Sequence, residues 1–187
     1  MANYLVGPNQ LYQEVQDAIN ALFQDQGTAE FTEQHNITIV EDGIYAAFEI
    51  NPAQKFKPTS INRLVIGAAN GILPIIDSVK TQMINTSFMN GCLISDGVSY
   101  VTIRRMYFRG FQKGIVTGPN CHKAIVEKNV IIDSVNAGIW IYQSDQCQII
   151  NNVIFNAKYG IVSTLAKDFA VIYNTVFNDQ FASTDTD

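Results

Sequence analysis

The chain has 187 residues, of which 47% are hydrophobic and 16% charged, with a formal net charge of −5 and a pI near 4.9. This length suffices for one domain with a real core, while the charge fraction is low against the roughly 25% of ordinary soluble domains. The acidic balance argues against a nucleic-acid partner, and no apolar run approaches the ~20 residues of a membrane span.

The opening "MANYLVGPNQLYQEV" lacks the basic and apolar regions of a signal peptide. The first element in chain order is an amphipathic helix in "NQLYQEVQDAINALFQDQG". Leu11, Val15, Ala18, Ile19 and Leu22 recur at helical spacing, Asn9 is the expected N-cap, and Gly27 ends the run. From there the pattern turns to period two, the signature of strands. Cys92, Cys121 and Cys147 lie in or beside apolar strand patterns without CxxC spacing, which predicts buried free thiols rather than a disulfide framework or a zinc site.

The strands repeat. Ile66, Phe88, Phe108, Ile132, Phe155 and Phe177 form one series at about 22 residues, and the Gly-apolar pairs beginning at Gly71, Gly91, Gly114, Gly138 and Gly160 form a second. Each unit holds three short strands and cannot bury its own inner face, so stacking must do so through parallel pairing. Alternation predicts Cys147, Ile149, Val153, Phe155, Ile161 and Ser163 inward in one unit, and Ala124, Val126, Val130, Ile132, Ile139 and Ile141 in the unit before. Asn129, Asn152 and Asn174 recur at the bend between first and second strands, where asparagine tolerates a left-handed turn and stacked amides form a ladder.

With "SYVTIRRMYF", "EKNVIID", "INNVIFNAKYGI" and the entry "YLVGPNQLYQEVQDAINAL…ITIVEDGIYAAFEI", the chain resembles a right-handed parallel β-helix of the pectate-lyase-like group. That group includes phage tailspikes and polysaccharide-acting proteins. The resemblance implies an all-β fold of about six coils with an N-terminal capping α-helix: residues 1–27 as the capping segment, 28–180 as the β-helix, and 181–187 as a disordered acidic tail. The absence of a second capping helix after "NTVFNDQFAS" leads us to expect either a longer parent protein or a cap from another subunit.

Candidate chemistry falls into four sets. Trp140 and Tyr142 share the outward face of the third strand with Val116, Val162 and Thr164, where aromatic rings offer a stacking platform for sugar. In β-helix polysaccharide enzymes this sheet carries the groove. Ser99, His122, Asp145 and Lys167 recur at the unit period, with Asp168 placed to stand near Asp145 if the turn slips by one residue. Two carboxylates so stacked suit glycoside hydrolysis, with His122 as an acid–base partner, and calcium is the alternative occupant of such a column. Arg104, Arg105, Arg109 and Lys113 form a basic cluster, the kind of residue that lyases of the group use on uronates. Tyr107, Ile131, Ile154 and Val176 read as an outward apolar stripe, which points to a homo-oligomer such as a trimer. No G-x-S-x-G elbow accompanies "GVSYV", and no metal or other cofactor is otherwise indicated. These features lead us to expect a surface or virion β-helix, structural and glycan-binding, with a polysaccharide lyase or glycoside hydrolase as the alternative, acting at the virion or outside the cell.

Overall fold

Short strands with one apolar face must bury that face against other coils, and this chain does so by winding. A computed structural model describes residues 1–27, 29–51, 57–84, 89–95 and 97–178; the tail 181–187 lies outside the described residues, as does Phe88. After β1 (Ala2–Val6) and helix α1 (Val15–Gln26) come β2 (His35–Ile39), β3 (Ile44–Tyr45) and β4 (Phe48–Ile50). The second coil has β5 (Leu64–Ala68), β6 (Ile75–Asp77), helix α2 (Ser78–Ile84) and β7 (Asn90–Ile94). The third has β8 (Val101–Arg104), β9 (Tyr107–Arg109) and β10 (Lys113–Thr117), and the fourth β11 (Ile125–Glu127), β12 (Val130–Ile132) and β13 (Ala137–Tyr142). Then follow β14 (Gln148–Ile150), β15 (Val153–Phe155), β16 (Tyr159–Thr164), and a sixth coil begun by β17 (Ala170–Ile172) and β18 (Thr175–Phe177).

Every ladder is parallel, and the strands fall into three sheets, built from the first, second and third strands of the coils: β1-β2-β5-β8-β11-β14-β17, β18-β15-β12-β9-β6-β3 and β16-β13-β10-β7-β4. The fold is thus an all-β parallel β-helix. Its core is a set of columns. Ile37, Ile66, Ile103, Val126 and Ile149 stack in the first sheet and are fully buried. Phe48, Cys92, Ile115 and Ile139 do the same in the third. All three cysteines are free and buried, and burial pushes the Cys121 thiol up to about 12. No helix among the described residues is long and apolar enough to cross a membrane.

Helix α1 closes the N-terminal end. Val15, Ala18, Ile19 and Leu22 are buried against the first coil, and side chains of the helix satisfy amides there. Glu14 accepts from Ala46 N at 2.9 Å and Gln16 from Glu49 N at 2.8 Å, which answers donors on or beside edge strand β4 that no further coil can reach. The helix starts later than the apolar spacing indicates. Glu14, not Asn9, is the N-cap, with its amide held by the Asp17 carboxylate at 3.3 Å. Residues before it form a turn tied by Gly7 N to Tyr12 O, Asn9 binds Glu41, and Leu11 is left 85% exposed.

Two further expectations fail for identifiable reasons. First, the second strand of each coil has the opposite phase. Ile131 and Ile154, placed outward by simple alternation, are fully buried in a column with Phe108 and Val176, while Val153 and Phe155 face out. Lys128 and Asn151 hold left-handed backbone (φ 56 and 53), and the buried Asn129 and Asn152 that follow take the next inward place. One residue is thereby used at the corner, and every later side chain of that second strand changes face. The left-handed residue is the one before each asparagine. Second, the period is regular only late. Ile103, Val126, Ile149 and Val171 are spaced 23, 23 and 22, but the loop 69–74 and α2 lengthen the second coil, so Ile66 belongs to the first strand and Gly71 to a turn.

The asparagine ladder itself forms. Asn129 Nδ2 donates to Asn152 Oδ1 at 3.1 Å, and Asn152 Nδ2 to Asn174 Oδ1 at 2.9 Å.

Candidate functional site

The third sheet turns Trp140 outward between two inward isoleucines, Ile139 and Ile141. The parallel register sets Val116 on one side of it and Val162 on the other, with Thr164 beside Tyr142. The Trp140 indole N–H donates to Thr164 Oγ1 at 3.1 Å, so the ring has a fixed orientation. Tyr142 meets it edge-on, with ring centroids 6.1 Å apart and planes at 70°. From the start of β10, Lys113 brings its ammonium to 3.9 Å from the indole centroid, inside the range of a favourable cation–π contact. Burial holds the Lys113 pKa below the ordinary lysine value. The result is a half-buried aromatic platform flanked by a cation and a hydroxyl, chemistry suited to the apolar face and hydroxyl rim of a sugar. Alternation located both rings; the approach of Lys113 crosses from one coil to the next and left no local signal.

The polar column in the corner after this sheet has a structural use. His122 N donates to Ser99 Oγ at 3.1 Å, Asp145 N to His122 Nδ1 at 3.3 Å, and Lys167 N to Asp145 Oδ1 at 3.0 Å. Each side chain therefore caps a backbone amide of the following coil. Asp168 does not come over Asp145: Lys167 takes that place, and Asp168 falls in the left-handed series of Tyr100, Lys123 and Gln146. No stacked carboxylate pair results among the described residues; His122 Nδ1 lies 3.9 Å from Asp145 Oδ2, both side chains being about two-fifths exposed. Among the described residues no group of three or more His, Cys, Asp or Glu side chains could hold a metal ion.

The four clustered cations disperse over three sheets. Arg104 faces Glu127 at 4.0 Å, Arg105 donates to Asn70, Arg109 clamps the buried Asp77 through Nε at 2.7 Å and Nη2 at 2.5 Å, and Lys113 serves Trp140. The apolar stripe also changes membership. Ile131 and Ile154 are core, Val176 shares their column at 48% exposure in the last coil, and Tyr107 is half-buried in the neighbouring outward column. Val153, Phe155 and Phe177 are among the outward apolar positions on this sheet, at 39%, 40% and 57% exposure.

A protein-family model described as a right handed beta helix region matches residues 56–185. No curated protein sequence matches the chain. Among solved structures, a protein of Parabacteroides merdae ATCC 43184 provisionally assigned as a glycosyl hydrolase is similar, with a TM-score of 0.55 and 15% identity over 87% of this chain and 88% of that one. The deglycosylated pectin methylesterase of Aspergillus niger also matches, at 12% identity over 99% of this chain and 87% of that one, but with a TM-score of 0.29 that carries no weight. At such identities the likeness establishes the fold alone.

Proposed function

The chain belongs to the right-handed beta helix family, and from that premise we propose that it is a surface β-helix module, of the kind found in virion spikes, that binds a polysaccharide or cell-surface glycan. The observation that carries this reading is the Trp140–Tyr142–Lys113–Thr164 platform on the third sheet. The other outward positions of that column, Glu49, Leu93, Val116 and Val162, carry no aromatic ring, so the scaffold does not require one. Cleavage of the glycan is the weaker reading, because Asp145 and His122 are engaged with backbone amides and Asp168 stands apart from them.

Trp140 is the only tryptophan, so its fluorescence reports this site alone. Titration with neutral and acidic oligosaccharides is expected to give a saturable emission change. Tyr142→Ala should weaken the affinity about two- to twelvefold, matching the ~0.5–1.5 kcal/mol of an aromatic contact. A panel without saturable change, confirmed by calorimetry, would refute glycan binding at this face. Association into a trimer or another homo-oligomer is proposed through the Val153, Phe155 and Phe177 surface; light scattering that shows a monomer at micromolar concentration would remove it.

A further inference from the structure

A second departure from the repeat lies on the outward face of the first sheet. A cavity of about 230 Å³ opens there, lined by Thr38, Val65, Gly67, Asn70, Arg104 and Arg105 among others. It exists for two reasons. The outward column runs Thr38, Gly67, Arg104, Glu127, so Gly67 leaves a gap where its neighbours carry side chains. A Cβ at Gly67 would lie 2.4 Å from the Arg104 carbonyl oxygen and 2.7 Å from Arg104 Cγ, so the arginine stem crosses that gap. The second reason is the corner. Later coils pass from first to second strand in two residues, such as Arg105–Met106 and Lys128–Asn129, but the second coil uses the loop 69–74. That loop brings Asn70 Oδ1 to Arg105 Nη1 at 2.5 Å and walls the cavity on the corner side.

Two arginines, Arg104 and Arg105, therefore line one small cavity in a protein of net charge −5. Among the described residues, no acidic side chain lines it. Glu127 approaches Arg104 only to 4.0 Å, with both side chains partly exposed, a weak and solvent-screened pairing. The scaffold does not ask for this pair: the same two positions are Glu127 and Lys128 one coil on, then Ile150 and Asn151, with the sheet and corner unchanged.

We propose that this notch binds a compact oxyanion, a carboxylate or sulfate group that is free or borne on a single sugar ring, held by Arg104 and Arg105. The planar guanidinium fork matches a group with two or three equivalent oxygens. The cavity is smaller than the ~300–1,000 Å³ typical of drug-sized ligands, which limits the occupant to one charged group or ring. The site sits on a different sheet from Trp140, so the two readings fail separately.

The test uses the full chain at constant ionic strength, with sodium sulfate, glucuronate, glucose 6-sulfate and glucose as probes. Calorimetry gives affinity, and the arginine Nε–Hε resonances locate it. The expected result is saturation by an anionic probe, with shifts at Arg104 and Arg105 and none with glucose. Equal affinity for sulfate and glucose 6-sulfate identifies the free ion as sufficient; preference for either acidic sugar identifies a ring-borne group. Arg105→Gln, at a half-buried corner, should weaken binding about tenfold or more, and Arg104→Gln likewise, while Lys128→Gln one coil on leaves it within about twofold. Urea midpoints confirm that each variant is folded. No saturation at millimolar anion, equal response to glucose, or unchanged affinity in folded Arg105→Gln would overturn the proposal.

Discussion

Asn152 is the centre of the asparagine ladder, and its removal should be among the most damaging single changes in the coil. The side chain is fully buried. Its Oδ1 accepts from Asn129 N at 3.0 Å and from Asn129 Nδ2 at 3.1 Å. Its Nδ2 donates to Val126 O at 2.9 Å, Ile150 O at 3.2 Å and Asn174 Oδ1 at 2.9 Å. Asn152→Ala removes all five contacts and takes the side-chain acceptor from the buried Asn129 backbone N–H. At a net ~0.5–1.5 kcal/mol per bond, with some groups re-paired after relaxation, the loss is about 3–5 kcal/mol. Asn174→Ala offers the internal comparison: Asn174 is half-buried in the last coil, where solvent can replace its lost partners, so about 1–2 kcal/mol is expected. The assay is urea denaturation followed by circular dichroism, with an unchanged slope required for the difference to be read as stability. The corresponding drop in melting temperature is roughly 6–20 °C for Asn152→Ala. A cost below about 1 kcal/mol for Asn152→Ala, or equal costs for the two variants, would refute the ladder as a stabilising device.

Two other predictions come from the core. His35 is 1% exposed, lies 4.3 Å from the Phe31 ring centroid, and neither ring nitrogen has a partner among the described residues. Burial lowers its pKa, against the opposing pull of Glu33 and Asp25. Because the unfolded chain then binds the proton more readily, stability should be fully present above about pH 6.5 and decline below it, by at most ~1.4 kcal/mol per pH unit. His35→Leu should flatten that part of the curve in urea midpoints measured across the range, and an unchanged acid slope would exclude His35 as its source. At Gly138, a Cβ would lie 2.6 Å from Ile154 Cγ2 and 2.8 Å from the Gly160 carbonyl oxygen. Gly138→Ala is therefore expected to cost about 1–3 kcal/mol as an overpacked site, and a variant as stable as the parent chain would show that Ile154 yields without penalty.

What could be read from residues alone depended on whether local geometry stayed simple. Helix α1 was legible because Val15, Ala18, Ile19 and Leu22 lie on one face of a regular spiral. The late coils were legible because nothing interrupts them, and the recurrence of Asn129, Asn152 and Asn174 announced a ladder that does form. Strand β1 and helix α2 were not, since one carries no contrast with the turn that follows it and the other is a single short helix set into a coil. The phase of the second strand was not legible either. A left-handed lysine at 128 has the same letter as any solvated lysine, yet it moves Ile131 from the surface to the core.

The candidate sites divide in the same way. Trp140 and Tyr142 were placed correctly because β13 runs straight through them, and period two holds wherever the chain does not turn. Asp145 and Asp168 were expected to meet across a corner, where a one-residue difference decides the outcome, and the corner sets Lys167 in the contested place. A repeat makes columns of every residue type, so recurrence at a corner is evidence for the scaffold before it is evidence for chemistry. The positions that argue for function are those the scaffold does not use: an indole where neighbouring coils carry Val116 and Val162, and two arginines over a missing side chain at Gly67. The arginine notch was hidden in the sequence because its defining feature is an absence, which becomes a cavity only when the longer loop 69–74 stands beside it.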